Sequence, residues 1–158
     1  MKYTDLYLAI KEIAQRFGVQ TIVPEDVQKL NADAIFYPAL CVQLKSINVR
    51  SADTYDLYDL ALTYAEPRGA QRNGEINESV VYSRGNTLIR IICKELEKRA
   101  VAINSAVITP YIYKFRDECV GIIGEINCAV VFDNSCYLYT IDAENIEENG
   151  KTDDNTNL

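Results

Sequence analysis

Apolar side chains fall on every second residue from Val120 to Phe132 (Val120, Ile122, Ile126, Cys128, Val130, Phe132), with Gly124 standing in the one gap. A two-residue period of that length predicts a long strand with one face in a core. The same period recurs at Tyr58, Leu60, Leu62 and Tyr64, alternating with Asp59, Ala61 and Thr63. That alternation marks a half-buried antiparallel strand. Between the two runs, Asn77 to Arg99 changes to three- and four-residue steps at Val80, Val81, Leu88, Ile91, Ile92 and Leu96. Those steps define a helix with one buried stripe. Lys94, Lys98 and Arg99 crowd its end, as the helix dipole favours, while Gly85 weakens its middle by about 1 kcal/mol relative to alanine.

The remaining segments fill in around this frame. Residues 4–17 read as an amphipathic helix through Leu6, Ile10, Ile13, Ala14 and Phe17, capped by Thr4 and stopped by Gly18. Pro24-Glu25-Asp26 starts a short helical turn ending near Leu30. Pro38 leads into a strand from Ala39 to Leu44, and Asp53 to Asp56 reads as a turn. Glu66 to Gly74 is a Gly/Pro-rich loop. Ile108 to Phe115 alternates Tyr111, Tyr113 and Phe115 against Pro110, Ile112 and Lys114. Asp117-Glu118 turns the chain into the long strand, where Gly121 and Gly124 predict a bend, a bulge or a close backbone approach. Asp133-Asn134-Ser135 reads as a turn before a short strand, Cys136 to Ile141. The resulting fold class is α+β: a mostly antiparallel sheet of four to five strands packed against two helices. Residues 1–141 form one domain, and residues 142–158 an acidic, disordered tail.

Charge and composition narrow the chemistry. The net charge of −7 is concentrated in residues 142–158, which hold six acidic side chains against Lys151 alone. Residues 1–141 carry 17 acidic and 15 basic groups, so the body lacks the basic footprint of a general nucleic-acid binder. Unbroken apolar runs stop at five residues (Cys128–Phe132), far short of the about 20 that span a bilayer. Met1 to Phe17 reads as a helix rather than a secretory signal, so the chain is taken as soluble and intracellular. With no histidine in the sequence, Ser-His-Asp and Cys-His catalysis are excluded, and so is the commonest metal ligand. The five cysteines (Cys41, Cys93, Cys119, Cys128, Cys136) form no CxxC pair and read as small buried hydrophobes.

Several constellations are weaker than they look. Asp53, Asp56 and Asp59 lack the spacing, distal glutamate and glycine of a calcium loop. Gly121-Ile122-Ile123-Gly124 lacks the Lys and Ser/Thr of a phosphate loop. Asp117, Glu118 and Glu125 are the only basis for a carboxylate-only hydrolase. No catalytic residue, metal or cofactor is therefore expected. Two features suit contacts instead. Arg68 and Arg72 stand together in the loop without helical partners, suited to acidic groups on a neighbouring subunit or to DNA phosphates, with an exposed loop carrying ordinary solubilising charge as the plain alternative. Tyrosine is over-used, 11 against four phenylalanines, and suits interfaces where the ring is buried and the hydroxyl meets a partner; Tyr111 and Tyr113 are the candidates taken here.

The order of elements resembles that of the tail-terminator and head-to-tail connector (neck ring) proteins of tailed bacteriophages, over residues 4–141. The resemblance is carried by the N-terminal helix and by Phe36-Tyr37-Pro38-Ala39-Leu40-Cys41-Val42 entering a strand. It continues through Tyr58-Asp59-Leu60-Ala61-Leu62-Thr63-Tyr64, the long helix with Leu88, Ile92 and Leu96, and Tyr113 to Ile123. The chain also resembles proteins from crAss-like phages of gut Bacteroidales. The resemblance implies a virion protein without enzymatic activity, assembled in the host cytoplasm into a homo-oligomeric ring, commonly of six or twelve subunits. Such rings stack between portal and tail, their sheets side by side, with loops and termini clasping neighbouring rings. Residues 66–76 would then be an inter-ring or lumen loop and the acidic tail a docking arm or free end. DNA would make only passing contact, since basic walls would hold its phosphates. The competing expectation is a small non-virion adaptor that binds another phage or bacterial protein without self-association.

Overall fold

The computed structural model describes residues 1–32, 35–49, 54–68, 77–115 and 118–131. Helix α1 spans Tyr3–Phe17. Thr4 lies inside it; the cap position is Lys2, whose backbone N–H donates to the Asp5 carboxylate at 3.0 Å. Gly18 ends the helix in the left-handed region at φ 104°, its N–H donating to the Gln15 carbonyl and that of Val19 to the Ala14 carbonyl.

Five strands form one sheet: β1 (Thr21–Pro24), β2 (Ala39–Val49), β3 (Tyr55–Pro67), β4 (Ala102–Lys114) and β5 (Cys119–Val131). Their order is β1-β2-β3-β5-β4, with only the β1–β2 pair parallel. Helix α2, Asn77–Glu97, connects β3 to β4. A short 3-10 helix, Val27–Asn31, joins β1 to β2, the Asp26 carboxylate accepting the Gln28 N–H at 2.9 Å.

The α+β class holds, and the boundaries differ for physical reasons. Strand β1 has four residues, too few to show a period. β2 runs five residues beyond Leu44, through Lys45–Val49, where exposure on both faces leaves nothing to alternate. Asp56, placed in a turn by its polarity, pairs within β3 with Val49 and Val130. The expected strand over Cys136–Ile141, the turn before it, the acidic tail 142–158 and Arg72 lie outside the described residues.

Both helices cover one sheet face. Leu6, Ile10 and Ile13 of α1 and Leu88, Ile89, Ile92 and Leu96 of α2 pack on Leu40, Val42, Leu60, Leu62, Tyr64, Ile122 and Ile126. Gly85 has a role that the sequence expectation did not include. It is less a weak point of α2 than the place where the helix lies against the sheet, since a Cβ there would fall 2.5 Å from Ile122 Cγ1 and 3.0 Å from Tyr64 Cδ1. Two ion pairs tie the start of α2 to the end of β3. Arg84 donates to both carboxylate oxygens of Glu66 at 2.9 and 3.0 Å, and Arg68 donates to Glu78 at 2.9 Å.

On the opposite face a smaller cluster, Leu30, Ala39, Cys41, Ala65 and Cys119, is covered by the 3-10 helix, Tyr37 and Phe115. It seals only one end of that face. The rest is open.

Candidate functional site

Among the described residues, two features of the sheet have nothing packed on them: most of one face and the outer edge of β4.

The uncovered face holds a cavity of about 500 Å³ whose floor is Ala61, Thr63 and Ile123 and whose rim carries Gln28, Gln43, Lys45, Lys114 and Glu125. Beside it a row of polar side chains crosses four strands. Ser46 on β2 donates to Asp59 on β3 at 2.6 Å, Asn127 on β5 donates to the other Asp59 oxygen at 2.7 Å, and Asn104 on β4 donates to Asn127 at 2.8 Å. Irregularities in the pairing flank the row, between Leu44 and Ser46 on β2 and between Ile103 and Ser105 on β4. Bulges of this kind re-aim side chains, and here they bring Ser46 and Asn104 to the level of Asp59 and Asn127. Asp59 thus belongs to a hydrogen-bonded ladder, while Asp53 lies outside the described residues. No cluster of three or more cysteine, aspartate and glutamate side chains placed to hold a metal occurs among the described residues.

The hydrogen bonds from Asn127 and then Ser46 hold the Asp59 carboxyl below the ordinary carboxylate range. A carboxyl with a depressed folded pKa adds stability that is complete above its unfolded value of about 3.9 and is lost as pH falls through the lower folded value. Asp59→Asn is therefore expected to flatten the acid limb of stability below about pH 4. Urea midpoints measured against pH for both proteins check this, and identical acid limbs would contradict it.

Tyr111 is placed differently from its expected role. It is 7% exposed, and its hydroxyl donates to the Tyr64 carbonyl at 2.7 Å, passing over Gly121 of the strand between. Phe115 meets its ring edge-on at 5.9 Å and the Lys114 ammonium lies 5.3 Å from the ring centre. The ring is consumed by the subunit's own packing. Tyr111→Phe leaves a buried carbonyl short of a donor and is expected to cost about 1–2 kcal/mol in chemical denaturation without altering self-association. A loss of assembly with unchanged stability would restore the interface role.

The other candidate residues separate. Arg68 is engaged by Glu78, whereas Arg72 and the side chain of Tyr113 lie outside the described residues. Glu118 sits at the turn before β5 and Glu125 projects from the open face, so the proposed carboxylate trio is split, with Asp117 outside the described residues. Cys41, Cys119 and Cys128 are buried, and Cys93 is half-buried. Burial pushes the Cys41 thiol up to about 12 and that of Cys128 to about 11, far from nucleophilic use at neutral pH.

The β4 edge was not legible from composition. β4 is 13 residues long and, among the described residues, pairs with β5 on one side only. Asn104, Ser105, Ala106, Val107 and Thr109 are all exposed, Val107 by 56%. From Ala102 to Thr109 it carries no charged side chain, although free edges are normally guarded by charge, brevity or cover. Pro110, lacking an N–H, closes the run.

No protein-family model matches this sequence, and a search of curated proteins finds no match.

Proposed function

We propose that this protein is a structural subunit of a homo-oligomeric ring in the neck or tail of a tailed bacteriophage, joining portal and capsid to tail and lining part of the DNA channel. The observation that carries this reading is the uncharged outer edge of β4. Unpaired strand edges recruit further strands, and a sheet that continues into a neighbouring copy uses such an edge. The resemblance of the element order to that of connector and terminator proteins, whose sheets lie side by side in their rings, supports the same reading. A body close to charge balance suits a channel wall past which DNA slides without being held. On this reading the protein acts through contacts with its own copies and with adjoining portal, neck or tail proteins, and catalyses no reaction.

The test is particle composition. The chain is expected in purified virions in many copies, with antibody labelling at the neck or tail in negative-stain images. Its absence from purified particles would refute the reading, and a one-to-one complex with another protein and no self-association would establish the adaptor instead. Charge reversal of Arg68 and Arg72 together is expected to lower particle yield, with Glu78→Gln controlling for the lost internal pair. Unchanged yield would remove the loop from the interface.

A further inference from the structure

Among the described residues, β4 is not the only strand with an unpaired outer side. β1 pairs with β2 only from Ala39 to Val42, and the Gln43 side chain then donates to the Glu25 carbonyl at 2.9 Å. From Lys45 to Val49 no described strand lies on the outer side of β2, and all five residues are exposed, Ile47 by 42% and Val49 by 70%. Lys45 is the one charge in that stretch. We infer that the β4 edge of one subunit, Ala102–Thr109, pairs antiparallel with Lys45–Val49 of β2 in the next copy, the strands running along the ring axis. This inference rests on the ring reading and names its joint.

Strand sense, height and side-chain character agree on that pairing. Direction reverses from β2 to β3, from β3 to β5 and from β5 to β4, so β4 runs opposite to β2. Two copies set side by side, with their helices on the same side, therefore bring β4 to β2 in the antiparallel sense, the more stable ladder per residue. Rotation about a ring axis leaves each residue at its own height, so the two edges can meet only if they lie at one level of the sheet, and they do. Ser46, Asp59, Asn127 and Ser105 are successive partners across the four strands, as are Ile47, Tyr58, Cys128 and Ile103. The joint thus sets Ser46 beside the next copy's Ser105. It sets Ile47 beside that copy's Ile103, an apolar cross-strand pair on the side where Tyr58 and Cys128 enter the core. The hydrogen-bonded row from Ser46 to Asn104 already runs from one of these edges to the other, and the joint makes it a continuous belt. A contact between two β4 edges would instead close at two copies and leave Ile47 and Val49 in water. The β4–β2 contact is heterologous, uses both edges in every copy and closes by rotation.

Cysteines placed across the joint test it in the full-length protein. Cys93→Ser and Cys136→Ser are added first, so that the native thiols left are the buried Cys41, Cys119 and Cys128. Within one subunit Ser46 and Ser105 stand three strand spacings apart, about 14 Å, beyond the roughly 7 Å that a disulfide bridges. Oxidation of Ser46→Cys/Ser105→Cys at high concentration is expected to give a ladder of covalent multimers, more completely than Ser46→Cys/Thr109→Cys, while each single variant stays unlinked. A covalent dimer from either single variant would show two like edges meeting and would overturn the inference. So would a Thr109 pair that links as readily as the Ser105 pair, since the two edges would then not meet at one height. Ile47→Lys, a change at an exposed side chain, is expected to fall from the oligomer to single-subunit mass in light scattering while its unfolding midpoint stays unchanged. If it assembles as fully as the parent, the joint is overturned and the ring reading survives with its subunits joined in another way. A parent protein that stays at single-subunit mass, with the double variant unlinked at high concentration, also overturns the joint, while particle composition separately decides the ring.

Discussion

Gly121→Ala is expected to be the most damaging single methyl group that can be added to this protein. Its Cβ would stand 1.7 Å from the Tyr64 carbonyl oxygen and 2.7 Å from the Tyr111 hydroxyl. The first obstacle is backbone on the adjoining strand, which has no rotamer by which to move. Relief requires β3 and β5 to separate where Tyr64 pairs with Ile122 and Ala65 with Gly121, in the middle of the sheet. Overpacking a core usually costs about 1–3 kcal/mol through side-chain adjustment. Here the ladder itself must give and the Tyr111 hydrogen bond goes with it, so a loss of at least about 4 kcal/mol is expected, a large part of the 5–15 kcal/mol that holds a typical domain. Urea unfolding measures it. The cause can be isolated with Gly121→Ala/Tyr111→Phe: since the closer contact is the Tyr64 backbone, removing the hydroxyl should restore almost nothing. Substantial rescue would place the clash on the tyrosine instead.

That position also shows where the sequence was informative and where it stopped. A glycine inside an otherwise regular alternation already announced a close backbone approach, because no side-chain preference explains glycine in a strand. What approaches it was hidden: Tyr64 is 57 residues and Tyr111 ten residues away along the chain, and β5 had to be placed between β3 and β4 before either could be named. The long elements were legible for the same reason. Their buried faces repeat often enough to show a period, as Tyr58–Tyr64 and Val120–Val130 do, while β1 is too short to repeat at all. Tyr111 was assigned to a subunit contact on residue type alone, and composition cannot say whether a tyrosine's partner belongs to its own chain. The polar row through Ser46, Asp59, Asn127 and Asn104 was invisible because each member comes from a different strand and two of them reach it through pairing irregularities.

The helix stripe was read astray at Val80 and Ile91, both only half-buried, and the second difference has a measurable consequence. Helical spacing selected Ile91 as core, yet Ile91 is only partly buried, whereas Ile89 is 1% exposed. The reason lies across the layer: Gly124 leaves a gap in the row of β5 side chains, and Ile89 fills it, its Cδ1 2.9 Å and its Cγ1 3.0 Å from where a Cβ on Gly124 would stand. Ile89→Ala should therefore cost about 3 kcal/mol, the usual range for opening a cavity in a fully packed core, and Ile91→Ala less than half as much. Equal costs would mean that the stripe drawn from spacing was right. Gly124→Ala alone should also destabilise, by about 1–2 kcal/mol, because it forces Ile89 off its seat. Combined with Ile89→Ala, the new methyl enters space the isoleucine has vacated. The double variant is then expected to lose at least about 1 kcal/mol less than the two single losses together. Strict additivity in that cycle would show that residues 89 and 124 do not share one site, and that α2 does not sit on β5 as described.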